Sequence, residues 1–309
     1  MTGGRAGEWL SAALARHRAG DWAEAAALYA RVLDADPANA DALHLSGVLG
    51  HQRGDHAAAA GLIAQAIMAD GAVPDFHANL GLVLMALGEA GEALAAFDHA
   101  AALDPGFAAA HHNRALALAA LNRKEEAAAA YAEAVRLDPA LSEAHLNLGV
   151  LLHELGRAEE SLPHHARAAE LRPDDPTPWT NRAVALQTLG RRAEAAAAYA
   201  EAVKRQGGGV AAQVGLAAVL HASGRLEEAA DLYVEALRAD PRDVGALVGF
   251  GLVMRAMGRA GDAAACFEAA TAADPARPEG YDNMGTQRLE AGDWAAAGAL
   301  QRAAQARRG

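Results

Sequence analysis

Four asparagines, Asn79, Asn113, Asn147 and Asn181, stand 34 residues apart, and a fifth, Asn283, falls three such steps further on. Each side-chain amide carries two donor hydrogens and an acceptor oxygen, so one asparagine can pair both polar groups of a peptide unit. Asparagine is a weak helix former, and its regular return therefore calls for a reason. One reason is a row of amides that grips an extended backbone with little regard for its side chains. The other is a brace or cap between neighbouring helices, and the residues alone leave both readings open.

Histidines recur on the same interval. His51, His153 and His221 are separated by multiples of 34, as are His44 and His112. An unperturbed imidazole titrates at about pH 6.5, so a surface lined this way would respond to pH near neutrality. Metal ligation is disfavoured, because equivalent residues of adjacent helical elements lie roughly 10 Å apart and imidazole–metal bonds need about 2 Å. His77, His111 and His145 form a separate set that reads as packing residues. No GxSxG, HExxH, Walker A or CxxC pattern occurs, and Cys266 is the sole cysteine. Gly207-Gly208-Gly209 lacks the Lys-Ser/Thr ending of a phosphate loop. The expectation is no catalytic residue, no metal and no cofactor.

The elements that carry these residues follow from the punctuation. Pro37, Pro105, Pro139, Pro173, Pro241 and Pro275 lie at multiples of 34 from one another, and Gly71 and Gly207 fill the two gaps. Both residue types end helices. With this residue at place 32, units start at 6, 40, 74, 108, 142, 176, 210, 244 and 278. Place 8 is always Gly or Ala, place 15 is Gly in every unit but one (Asn122), and place 27 is Ala after the initial Val32. Places 4, 7, 8 and 11 share one face of a first helix; places 20, 24 and 27 share one face of a second. Gly at place 15 ends the first helix with a left-handed cap. A helical hairpin cannot bury its apolar face alone, so the pattern predicts an array of stacked hairpins over 6–309. Residues 1–5 read as a tail, and 207–209 as a soft junction.

Composition bounds the function. A net charge of -12 repels phosphate backbones and anionic bilayers, which argues against nucleic-acid and membrane partners. No apolar run reaches the 18 or so residues of a membrane span, and the first ten residues lack a signal-peptide core. A lone cysteine fits a reducing, cytoplasmic setting.

These units resemble tetratricopeptide repeats. The third carries the motif most fully, in Leu80-Gly81, Leu84, Ala93, Phe97, Ala100 and Pro105. The resemblance implies an all-α fold, a right-handed α-solenoid of nine helix-turn-helix hairpins whose first helices line a concave groove. Places 2, 5, 6, 9, 12 and 13 would face that groove. This assigns to it the five asparagines, His44, His51, His112, His153 and His221, and an apolar row of Leu82, Leu116, Val150 and Val184. Arg18 and Arg255 are the only basic residues at those places, which disfavours a receptor for acidic chaperone tails. The asparagine row, with the phrase Ala144-His145-Leu146-Asn147-Leu148-Gly149, is similar to the repeat arm of O-linked N-acetylglucosamine transferases. The implied function is a non-catalytic scaffold for a protein or peptide segment. The alternative is the substrate-recognition arm of a glycosyltransferase-like or methyltransferase-like enzyme. End-to-end self-association of copies is a further expectation.

Overall fold

The computed structural model describes residues 2–205 and 209–308, with residues 2–4 given by their backbone alone. Among the described residues there are eighteen α-helices and no strand. The chain divides into two compact units, Met1–Leu151 and Leu152–Gly309.

In the first unit the hairpins pair α1 (Thr2–Arg18) with α2 (Trp22–Ala35), α3 (Ala40–Gln52) with α4 (His56–Ala69), α5 (Pro74–Leu87) with α6 (Ala90–Leu103), and α7 (Ala108–Ala120) with α8 (Lys124–Leu137). Each second helix also packs on the next first helix, so α2 lies on α3, α4 on α5 and α6 on α7. Helix α9 (Ser142–Glu154) contains the division. The second unit continues with α10 (Ala158–Leu171), then the hairpins α11 (Thr177–Thr188) and α12 (Arg192–Val203), α13 (Gly209–Ala222) and α14 (Leu226–Ala239), α15 (Val244–Ala256) and α16 (Ala260–Ala273), α17 (Glu279–Glu290) and α18 (Trp294–Gln305). The nine hairpins of a helical solenoid are thus in place with the expected register. Helix α1 already begins at Thr2, ahead of the first unit start at residue 6. Gly207 and Gly208 of the expected soft junction lie outside the described residues, while Gly209 opens α13.

The cores are short-range and alanine-rich. Ala59, Ile63 and Val83 form one cluster across hairpins two and three; Ala217, Tyr233, Val253, Met254 and Phe267 belong to another across hairpins seven and eight. Stacking supplies the apolar cover that no single hairpin has.

Local chemistry accounts for the strict period. Place 15 has positive φ in all nine hairpins, from Gly54 at 87° to Asn122 at 58°. Only glycine, or asparagine at small cost, sits comfortably there. At the junctions the working residue is the aspartate before the proline. The Asp104 carboxylate accepts from the Gly106 N–H at 2.9 Å, and Asp36, Asp70, Asp138, Asp240 and Asp274 each accept two residues on in the same way. This turn forms equally well before Gly71, which is why the proline can be replaced there. Seven of the second helices open on one of two devices. Asp55 and Asp293 accept from an N–H of the first turn. In hairpins four to eight an arginine at place 16 instead pairs with an acid three residues on, as in Arg123–Glu126 at 2.7 Å. These pairs are exposed and contribute little to stability.

Candidate functional site on the first helices

In the first unit Asn79, Asn113 and Asn147 occupy the same place on α5, α7 and α9, and each is half-buried. They differ in their partners. Asn79 lies against His44 of the preceding hairpin, with Nδ2 2.9 Å from the imidazole Nε2. Asn147 hydrogen-bonds the hydroxyl of Tyr131. Asn113 makes no hydrogen bond to any described residue. In the second unit Asn181 is likewise half-buried on α11, and Asn283 donates to the Glu279 carbonyl of its own helix at 2.8 Å. The expected row is therefore a set of half-exposed amides, some of which brace the stack while others keep bonding capacity.

The apolar row stands beside it. Leu82 and Leu116 are 38% and 36% exposed, Val150 is half-buried, and Val184 is exposed in the second unit. Leucines this exposed on a helical face offer contact area to a ligand without forming a large greasy patch.

The histidines are more tied down than the spacing implies. His44 is buried against the Phe76 ring at 4.5 Å between centroids. Burial holds its pKa below the ordinary value, partly opposed by Asp75 and Asp41. Burial also lowers His112, opposed by Glu143, beside the Tyr131 ring. His51 is lowered by burial and then by His56. His153 Nε2 lies 2.9 Å from the Thr188 hydroxyl of the next hairpin, the same step that takes His17 to Gln52 at 2.8 Å. His221 is half-buried near the end of α13. His77 and His111 are half-buried, and each donates from Nε2 to the carbonyl of the preceding junction, Gly71 at 3.0 Å and Pro105 at 3.1 Å. Where that place holds Trp179 or Tyr281, Arg205 or Arg307 stacks on the ring and takes the junction carbonyl instead.

A third set of residues shapes this face without having been assigned to it from the spacing. Place 24 is tyrosine in hairpins one, four, six and seven, and in those same hairpins place 8 is alanine: Ala13 with Tyr29, Ala115 with Tyr131, Ala183 with Tyr199, Ala217 with Tyr233. In the other five, glycine at place 8 goes with Ile63, Phe97, His165, Phe267 or Gln301. The geometry explains the exchange. A Cβ on Gly81 would lie 2.5 Å from the Phe97 ring, on Gly251 2.5 Å from Phe267 and on Gly47 2.6 Å from Ile63, so these side chains tuck into their own hairpin. The tyrosines lean forward, toward polar partners that the tucked site lacks. Tyr29 reaches His17 at 3.1 Å, and Tyr199 donates to Gln187 at 2.6 Å. Tyr199 and Tyr233 also cover the next hairpin's place 6, where a Cβ on Gly215 or Gly249 would come within 2.4 Å of the ring. In those two hairpins the ring occupies the space that an asparagine side chain holds elsewhere in the row. Burial raises Tyr131 and Tyr233 to about 12, so their hydroxyls stay protonated. The Ala/Tyr exchange is visible in the sequence once each place is compared with the others.

Among the described residues no group of three or more His, Cys, Asp or Glu could hold a metal ion, and no helix is long and apolar enough to cross a membrane. Burial raises the Cys266 thiol, which makes it a poor nucleophile at neutral pH.

Comparison with known proteins agrees with this architecture. Residues 10–75, 74–107, 180–244 and 220–284 match tetratricopeptide repeat families, and 117–156 match a TPR repeat family. No curated protein matches the chain. Among solved structures, PilF of Pseudomonas aeruginosa is 22% identical over 67% of this chain and 94% of its own, with a TM-score of 0.56. A tetratricopeptide repeat protein from Parabacteroides merdae is 18% identical over 81% of this chain and 98% of its own, with a TM-score of 0.54. At such identity the likeness is one of fold.

Proposed function

Because the chain belongs to the tetratricopeptide repeat family, we propose that it is a non-catalytic scaffold that holds an extended segment of a partner protein against its first helices. The observation that carries this is the amide row of the first unit, above all Asn113, which is half-exposed and has no partner among the described residues. An asparagine at this spacing can receive one peptide unit of a ligand, and Leu82, Leu116 and Val150 give adjacent side chains apolar contact. Backbone amides do the holding in this reading, so selectivity falls to the few side chains around the row. Hairpins seven and eight do not share the grip, because Tyr199 and Tyr233 fill the space an amide would need. The chain's net charge of -12 favours a peptide over a nucleic acid as the occupant, and a cytoplasmic setting is part of the same reading.

The test is the triple variant Asn79→Ala, Asn113→Ala, Asn147→Ala. If each amide contributes about 1 kcal/mol net, partner capture from the native lysate falls roughly 100-fold, with the helical circular dichroism unchanged. Undiminished capture by a well-folded triple variant refutes the amide row as the binding element.

A further inference from the structure

We propose that His51 and His56 form a two-imidazole chelate for a divalent transition metal of tetragonal preference, Cu2+ or Ni2+, at the turn of the second hairpin. The two residues end α3 and begin α4, and the turn between them is closed by Gly54 at φ 87°. Their rings face each other with centroids 4.7 Å apart, and Nδ1 of one lies 3.0 Å from Nδ1 of the other. Both residues are half-buried, so the pair is held by its surroundings yet open to solvent. His77 and His99 also stack, at 5.6 Å, but each turns a ring nitrogen to a backbone carbonyl. The neighbouring His17 has both nitrogens engaged, by Tyr29 and Gln52.

The separation suits a chelate. With metal–nitrogen bonds of about 2.0–2.1 Å, two ligands at a right angle stand about 2.9 Å apart, whereas two tetrahedral ligands stand about 3.4 Å apart. The 3.0 Å set by the hydrogen bond in the metal-free protein is close to the cis span of a square-planar or octahedral ion, so little movement brings both nitrogens onto one metal. Water completes the coordination. Without metal a single shared proton joins the two nitrogens. Binding needs both Nδ1 lone pairs, so the proton on one Nδ1 moves to Nε2 of the same ring, and no oxidant or reductant takes part. The expectation of no metal site rested on the distance between equivalent residues of successive hairpins; this pair lies within one.

The experiment is a CuCl2 titration of the full chain in the presence of a few equivalents of free imidazole, which competes with single histidines for copper. It is followed by calorimetry and by electron paramagnetic resonance, in the wild type and in His51→Ala, His56→Ala and His77→Ala. The expected result is one tight equivalent with a two-nitrogen equatorial signature, lost in either of the first two variants and kept in the third. Both single variants change half-buried residues beside the turn, and their melting curves without metal report whether the hairpin persists. Retention of the tight equivalent in His56→Ala overturns the proposal, as does a wild type that binds none in competition with free imidazole. In those outcomes the pair is a hydrogen bond that fixes the turn.

Discussion

The exchange between places 8 and 24 makes a sharp test of how this face is built. In hairpin three the Gly81 site touches three atoms of the buried Phe97 ring, at 2.5, 2.7 and 2.7 Å from an added Cβ. Gly81→Ala therefore overpacks a closed site, at a cost of about 1–3 kcal/mol. Alanine returns up to about 1 kcal/mol through helix propensity, which leaves a net loss of about 1–2 kcal/mol. Phe97→Tyr adds a hydroxyl to a fully buried ring, and a hydroxyl left unpaired there costs about 1–3 kcal/mol. Together the two changes recreate the alanine–tyrosine pair of hairpins one, four, six and seven. The ring is then free to lean toward Asn113, as Tyr131 does toward Asn147. The double variant should fall within about 1 kcal/mol of the wild type, which makes the coupling energy at least about 1 kcal/mol. Urea unfolding followed by circular dichroism measures all four proteins. Simple addition of the two single losses, or a Gly81→Ala chain as stable as the wild type, would refute the steric account.

Two further predictions concern stability, beside those for the amide row and the imidazole pair. His165 is 1% exposed, and burial, with His153, His164 and Arg182 adding to it, lowers its pKa to about 4. An unfolded chain binds this proton near pH 6.5 and the folded one only near 4. Stability is thus complete above about pH 6.5 and falls through that window, by a loss of the order of 3 kcal/mol at its end. His165→Phe, which installs the residue of hairpins three and eight, should flatten that slope in melts taken at successive pH values; an unchanged slope means another group is responsible. Gly88→Ala forces an L side chain into φ 81° and should cost about 1–2 kcal/mol, read from the urea midpoint. No loss there would mean that the left-handed cap is not needed to turn the hairpin.

Much of the architecture was legible because it is local. The place-15 residues bend the chain through their own backbone freedom, so a list of glycines at 34-residue intervals, with Asn122 among them, marks nine turns without knowledge of any neighbour. The junctions were legible through Pro37 and its equivalents, although at six junctions the bond that makes the turn belongs to the preceding aspartate. That was missed because Asp and Pro travel together at five of them, while at Gly71 the aspartate alone holds the turn. The histidines show where spacing runs out. Five of them share groove places, yet His44 is buried against Phe76, His153 is spent on Thr188, and His51 faces His56 across a turn that periodicity does not describe.

By itself the sequence determined the period, the all-helical hairpins and the register of the asparagine row, since each follows from residue types acting within one turn of chain. Only tertiary structure decided what those residues face. Whether an asparagine is free or braced depends on the side chain that the preceding hairpin brings over it: His44 over Asn79, Tyr131 beside Asn147, and Tyr199 where Gly215 has yielded the place. Such contacts join residues 16 to 35 apart in the chain and are set by excluded volume between close-packed helices, which a periodic pattern of residue types does not record.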